Sequence, residues 1–283
     1  MIDEHGADAN YQYIWETPDN DEIILAEKSK GMRWMGHLSY YNVTSGYWIT
    51  HNFTKLYETK QGTPQPWKEE GGDDLMEIYA NMDPRYKQTV VYHGGYFNVD
   101  HPQLDLSVTG LDRPKGAGCE GAVVRKPIPY ILGNEGDRGV ILNGILFRMA
   151  ELYLNYAEAL NEYASSPPNE AYDAIDLIRL RSGMPKLPRS LSQAQFRERV
   201  RNERAIELAF EGQRLYDIMR WEIADEGIMK GAMYGIHIYK TGTNKCSYAP
   251  YVFETRSFKQ AMYRYPFPQE EVNKGYLIQN PGY

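Results

Sequence analysis

Hydrophobic positions are spaced differently in the two halves of the chain. Up to about residue 140 the apolar runs are short, as in "EIILAE" at 22–27 and "QTVVYH" at 88–93, and Gly, Pro, Tyr and Asn separate them. Such runs between turn formers predict short strands joined by long ordered loops. From about 145 the texture changes. Leu146, Met149, Ala150, Tyr153, Tyr156, Ala157 and Leu160 recur at three and four residue steps, the mark of a helix with one apolar face. After the turn "SSPPNE", with Pro168 placed as at a helix start, Ala171, Ala174, Ile175, Ile178 and Leu180 continue the pattern to Gly183 and Pro185. The pair reads as one helical hairpin of tetratricopeptide-like length, with small residues at its crossing. A third helix opens at "SQAQF", where Ser192 and Gln195 have capping-box spacing, and runs to about Gly212. A fourth carries "LYDIMRWEIA" at 215–224. Beyond it Gly, Tyr and Pro return, and the prolines of the tail "YPFPQEEVNKGYLIQNPGY" predict an extended segment rather than a helix.

Composition narrows the function. The chain has 283 residues and a net charge of −7, which argues against nucleic acid or an anionic membrane as a partner, since either needs a concentrated basic face. The start "MIDEHGADAN" has neither the basic residues nor the apolar run of a signal peptide, and no later segment is long and apolar enough for a membrane span. Cys119 and Cys246 lie far apart without a CxxC partner, so a metal or redox motif is not indicated and a single disulfide stays open. Tyrosine is abundant, 24 against 8 Phe, and a ring with a polar tip suits half-wet surfaces such as ligand grooves.

The candidate chemistry sorts by context. In "RNERAIELAFEGQRLYDIMRW" (201–221) Glu203, Glu207 and Glu211 share a helix face at a rise of about 6 Å per step, near the spacing of paired glycosidase carboxylates. Arg199, Arg204 and Arg214 lie three or four residues away. Guanidinium groups favour the ionised carboxylate, the opposite of what a general acid needs, so the run reads as an ion-pair network. "GAGCEG" (116–121) matches GxGxxG, but Pro127 and Pro129 forbid the helix that a dinucleotide site requires. The six histidines have no HxxxH or HExxH spacing, and the acidic residues Glu69, Glu70, Asp73, Asp74 and Glu77 lack the alternation of a calcium loop. No metal, cofactor or catalytic constellation is expected. The aromatic stretch "RWMGHLSYYNVTSGYWITHNF" (33–53) supplies ligand-binding candidates in Trp34, Tyr40, Tyr41, Tyr47 and Trp48, because the electron-rich face of such rings stacks on the C–H face of a sugar. Packing of a loop-rich region that is poor in aliphatic residues is the competing reading of the same rings. Asn42 and Asn52 open N-x-Thr sequons.

Four segments resemble one known family, the SusD/RagB nutrient-binding lipoproteins: "FRMAELYLNYAEALNE" (147–162), "AYDAIDLIRLRSGMPKLP" (171–188), "FRERVRNERAIELAFEGQRLYDIMRW" (196–221) and the terminal 265–283. "NFTKLYETKQGTP" and "YANMDPRYKQTVVYHG" extend the resemblance back to about residue 20. The resemblance implies a mainly α fold, a SusD-like helical scaffold with long ordered loops and a few short strands. It implies a non-catalytic protein of the outer-membrane surface that captures oligosaccharides or other nutrients for a TonB-dependent, SusC-like transporter. On that expectation the chain is a single C-terminal region with a loop-rich ligand-facing part (1–140), a helical block (141–226) and a tail (227–283). The N-terminal half, with its export signal, lipid-bearing cysteine and most paired helical repeats, has no counterpart here. A rival reading is a scaffold that docks on the transporter and holds no ligand site of its own.

Overall fold

The computed structural model describes residues 13–15, 17, 20–27, 48–97, 101–113, 120–126 and 144–283. The helical block is as the periodicity predicts in number and order: α4 (Met149–Tyr163), α5 (Asn169–Arg181), α6 (Gln193–Glu207) and α7 (Arg214–Arg220), preceded by the short helices α1 (His51–Thr54), α2 (Leu75–Ala80) and α3 (Arg85–Thr89). Strand β1 (Ile23–Glu27) pairs antiparallel with β4 (Gly144–Arg148), and β2 (Val90–Tyr92) with β3 (Ala122–Val124). The two expected runs, 22–27 and 88–93, are thus β1 and β2.

Helices α4, α5 and α6 bury Leu154, Ala157, Ala171, Tyr172, Ala174, Ile175, Ile178, Phe196 and Val200 in one cluster. Alanines at the crossing let α4 and α5 approach closely. Ser192 caps α6 through its hydroxyl, and the Gln195 side chain returns the bond to the Ser192 N–H, as the capping box requires. Four details differ from the sequence pattern. Leu146 belongs to β4 and is exposed, and Tyr156 and Leu180 face outward, because the buried stripe of α4 runs through Ala150, Leu154, Ala157 and Asn161 instead. Helix α6 ends at Glu207, and the chain turns at Phe210 and Gly212, both with positive φ. The region after α7 holds a long hairpin, β5 (Gly231–Gly242) with β6 (Lys245–Arg256), which the Gly- and Tyr-rich composition concealed. The tail contains one short helix, α8 (Gln269–Asn273), started by Pro268, whose fixed φ suits a helix N-terminus.

A second cluster joins α1, α2, α3 and the hairpin and is built on aromatics. Tyr57, Tyr79, Tyr86 and Tyr248 are almost wholly buried beside Ile78, Met82, Ile206, Ile236 and Ile238. Tyr57 and Tyr86 meet edge to face with centroids 5.0 Å apart, and burial raises the pKa of both hydroxyls, keeping them neutral. Part of the tyrosine excess therefore serves as core where aliphatic side chains are few, which corrects its reading as surface alone.

Between the two clusters lies a buried electrostatic network. Glu203 accepts from Arg85 at 2.5 Å and from Arg179 at 2.9 Å. Glu207 is fully buried and accepts from Arg85 at 3.0 Å, Arg148 at 2.7 Å and Arg181. Glu211 meets Arg148 at 2.7 Å and Lys126. Asp83, Glu22, Glu58 and Arg199 extend it, so that among the described residues six carboxylates face six cations. Burial alone would raise the pKa of Glu207, yet three guanidinium groups hold it well below the usual carboxylate range, and Glu203 and Glu211 are lowered in the same way. The network reading of the three glutamates stands, but its partners come from β4, α3 and α5. The helix neighbours do not pair with these glutamates directly: Arg199 joins the network through Glu58, and Arg204 pairs with Asp217 at 3.0 Å.

Removing one member strands the others in a dry interior, a cost of about 3–5 kcal/mol. Glu207→Gln is expected to lower stability by that order in urea unfolding. A loss below about 1 kcal/mol, the range of exposed pairs, would show that the network is not a buried one.

His51, buried edge-on against Trp67 at a centroid distance of 4.6 Å, supplies a pH dependence. Desolvation, and secondarily Lys55, pushes its pKa from 6.5 down to about 3. The neutral ring therefore stabilises fully above pH 6.5, and that contribution is lost as pH falls from 6.5 towards 3. Between about pH 7 and about pH 4 the wild type should lose about 3 kcal/mol more than His51→Phe, measured as the difference between their denaturant-derived stabilities.

Candidate functional site

The segment from Glu120 to Val124 is the seam from which the candidate surface is built. On one edge β3 pairs with β2, and on the other Trp48 bridges Val123 while the Ile49 N–H donates to the Ala122 carbonyl at 3.1 Å. At its start the Glu120 carbonyl accepts from the Ile236 N–H of β5. Gly121 adopts φ +111°, and a Cβ there would lie 2.3 Å from Ile236 Cγ1, so the last glycine of "GAGCEG" is needed for close approach of the hairpin. A strand follows it, which removes the dinucleotide reading on geometric grounds.

Of the five aromatic candidates, Trp48 lies within the described residues, and Trp34, Tyr40, Tyr41 and Tyr47 lie outside them. Trp48 is half-buried and packs on Val91, Phe97, Leu104, Leu106 and Val123. It anchors the C-terminal end of the aromatic stretch to the β2–β3 pair, so packing accounts for part of its ring.

The hairpin, with Arg113 and Glu120, carries a set that the sequence reading missed. Glu120, mostly buried, accepts from Arg113 Nε at 3.0 Å and Nη2 at 2.5 Å, and its second oxygen lies 3.0 Å from His237 Nδ1. The Tyr251 hydroxyl accepts from the Glu120 N–H at 3.0 Å. The rings of His237 and Tyr251 stack at 4.0 Å, within 5° of parallel, and Tyr239 stands 6.4 Å from His237 with its ring exposed. The signal was present as alternation: Ile236 and Ile238 point inward, which sends His237 and Tyr239 to the opposite face. Planar rings with polar edges, held by a fixed carboxylate and guanidinium, can stack on an apolar ring face and bond to hydroxyls at its rim.

Asn52 orients this face. Its Oδ1 accepts from the Tyr234 N–H at 2.8 Å and its Nδ2 donates to the Ala232 carbonyl at 3.2 Å, so both ends of the amide are engaged by β5, while Asn42 of the other sequon lies outside the described residues. Cys246 is free and buried. Among the described residues no group of three or more His, Cys, Asp or Glu could hold a metal ion, and no helix is long and apolar enough to cross a membrane.

Comparison with known proteins then decides the family. The profile described as "SusD family" matches residues 4–283. The chain belongs to the SusD family. It is 32% identical over 160 residues to SusD-like protein P2 of Formosa agariphila, covering 54% of this chain and 28% of that protein. Among solved structures, a SusD-like protein from Bacteroides fragilis superposes with a TM-score of 0.78 at 27% identity, over all of this chain and 58% of its own length. A SusD-like carbohydrate binding protein from the same species superposes with a TM-score of 0.69 at 25% identity, over 94% of this chain and 56% of its own. The chain thus spans little more than half the length of these solved relatives, and a smaller share of the curated one. The helical scaffold with its short strands is the SusD-like fold expected from the sequence.

Two amide bonds to β5 are lost in Asn52→Ala, at about 0.5–1.5 kcal/mol each. The variant should unfold at lower urea, and amide exchange at Tyr234 should accelerate more than at Ile206, which lies outside the hairpin.

Proposed function

We propose that this SusD-family chain contributes to non-catalytic capture of oligosaccharides at the bacterial outer-membrane surface, for delivery to a TonB-dependent, SusC-like transporter. The observation that carries the reading is the set of His237, Tyr239, Tyr251, Arg113 and Glu120, in a chain whose fold neighbours include a carbohydrate binding protein. Rings with polar edges match the amphipathic surface of a sugar, and Trp34, Tyr40, Tyr41, Tyr47 and Trp48 are the proposed stacking partners from the adjoining stretch. The glutamates that could suggest hydrolysis support the non-catalytic reading. Glu203, Glu207 and Glu211 are buried, ionised and bound to cations, so none of the three can lend a proton to a glycosidic oxygen.

A second reading, a scaffold docking on the transporter, is favoured by the outward side chains of Leu152, Tyr156, Tyr163 and Tyr216 on and near α4 and α7. Calorimetric titration with a panel of oligosaccharides separates the two. Trp34→Ala and Tyr239→Ala should each weaken glycan binding about tenfold, the loss of one stacked ring, without lowering the unfolding midpoint. Unchanged affinity in both variants would favour the docking scaffold, and release of shortened products from a labelled oligosaccharide would overturn the non-catalytic reading.

A further inference from the structure

The tip of the β5–β6 hairpin overhangs a groove that the surface described above does not include. Two cavities, about 280 and 370 Å³, adjoin under it and share Met76, Asn244 and Cys246. The first has Leu104 in its lining with Gln103 and Asp105, and the second adds Asp73, Glu77 and Thr241. Both walls are fixed. Gly72 and Tyr248 exchange two backbone hydrogen bonds, at 3.1 and 2.8 Å, and the Tyr248 hydroxyl accepts from the Lys68 N–H at 3.0 Å. A Cβ on Gly71 would fall 2.1 Å from the Tyr248 carbonyl oxygen, so the α2 side is pressed directly against the hairpin.

We propose that this groove is a second saccharide site, each cavity taking one ring of a neutral disaccharide unit. A sugar hydroxyl both donates and accepts, and so pairs best with groups offering both kinds of bond. The exposed amides of Gln103 and Asn244 do so. Asp105 is already oriented, accepting from the Ser107 hydroxyl at 2.7 Å and pairing with Lys240, and so presents a fixed carboxylate at the rim. The thioether of Met76, common to both cavities, gives an adaptable apolar floor for the C–H face. The cavities are of the size of the smallest ligand pockets, about 300 Å³.

Two other readings of the groove fit less well, a cation site and a reactive thiol. The carboxylates of the groove are dispersed, and they form no cation-holding group of three. The Cys246 thiol lies 3.4 Å from His93 Nε2, but His93 Nδ1 accepts from the Leu106 N–H, so the neutral ring carries its proton on Nε2, pointing at sulfur. That ring cannot take a proton from the thiol, and burial raises the thiol and lowers the imidazole, so the pair is not an activated nucleophile.

The proposal rests on the glycan-binding reading, and the test separates the two. Protein labelled with 13C in its methionine methyls, with the Met76 signal assigned through Met76→Leu, is titrated with cellobiose, maltose, xylobiose and mannobiose. One of these should move the Met76 methyl saturably. The Gln103→Ala/Asn244→Gly double variant should weaken that effect about tenfold or more. Glycine preserves the left-handed conformation at position 244, where φ is +55°. Trp34→Ala should leave the Met76 titration unchanged. A Met76 signal that no disaccharide moves would overturn the second site, and Trp34-dependent heats in calorimetric titrations with the oligosaccharide panel would then show that the main glycan reading survives it. Absence of both responses would overturn both, and a shift produced by calcium chloride but by no sugar would reassign the groove to a cation.

Discussion

Glu207 cannot be satisfied by its own helix. Its carboxylate takes hydrogen bonds from Arg85, Arg148 and Arg181, which arrive from α3, β4 and α5. A buried charge is tolerated only when paired and hydrogen-bonded, so this one side chain requires an end of each of three other elements to meet it. Glu203 and Glu211 extend the same demand to Arg179 and Lys126. The helical hairpin, the aromatic cluster and the β2–β3 pair are therefore docked by a directional array rather than by apolar contact alone. Guanidinium groups suit this task because their rigid fork reaches two carboxylates in different planes.

What the chain reveals before folding follows from the range of each interaction. Helices α4, α5 and α6 were legible because periodicity, the Pro168 start and the Ser192–Gln195 cap are all encoded within a few residues of one another. The charge pairing of Glu203 and Glu207 was legible in kind but not in partner, since Arg85 lies 118 and 122 positions away from them. The hairpin was hidden although its alternation of Ile236 and Ile238 with His237 and Tyr239 is short-range, because glycines and tyrosines around it read as loop. Tyr57, Tyr86 and Tyr248 could not be told from surface tyrosines by composition, because only their neighbours in space make them core.

The candidate surface shows the same division. Trp48 is singled out in the sequence by its aromatic context, whereas Glu120, His237 and Tyr251 meet across 117 and 131 positions. A rigid frame holds them: Asn52 fastens β5, Gly121 admits the close approach of Ile236, and β3 ties both to Trp48. Side chains held in place before a ligand arrives lose little conformational freedom on binding, so on the proposed reading this frame would raise affinity without adding contacts.

The balance of the buried array also shapes the exterior. Because its six acids and six bases cancel, it contributes nothing to the net charge of −7, and that entire excess belongs to the rest of the chain. A chain with this net charge projects a repulsive field towards polyanions. Sulfated or uronate-rich polymers would approach it more slowly at low ionic strength than uncharged glycans of the same size, and added salt would narrow the gap.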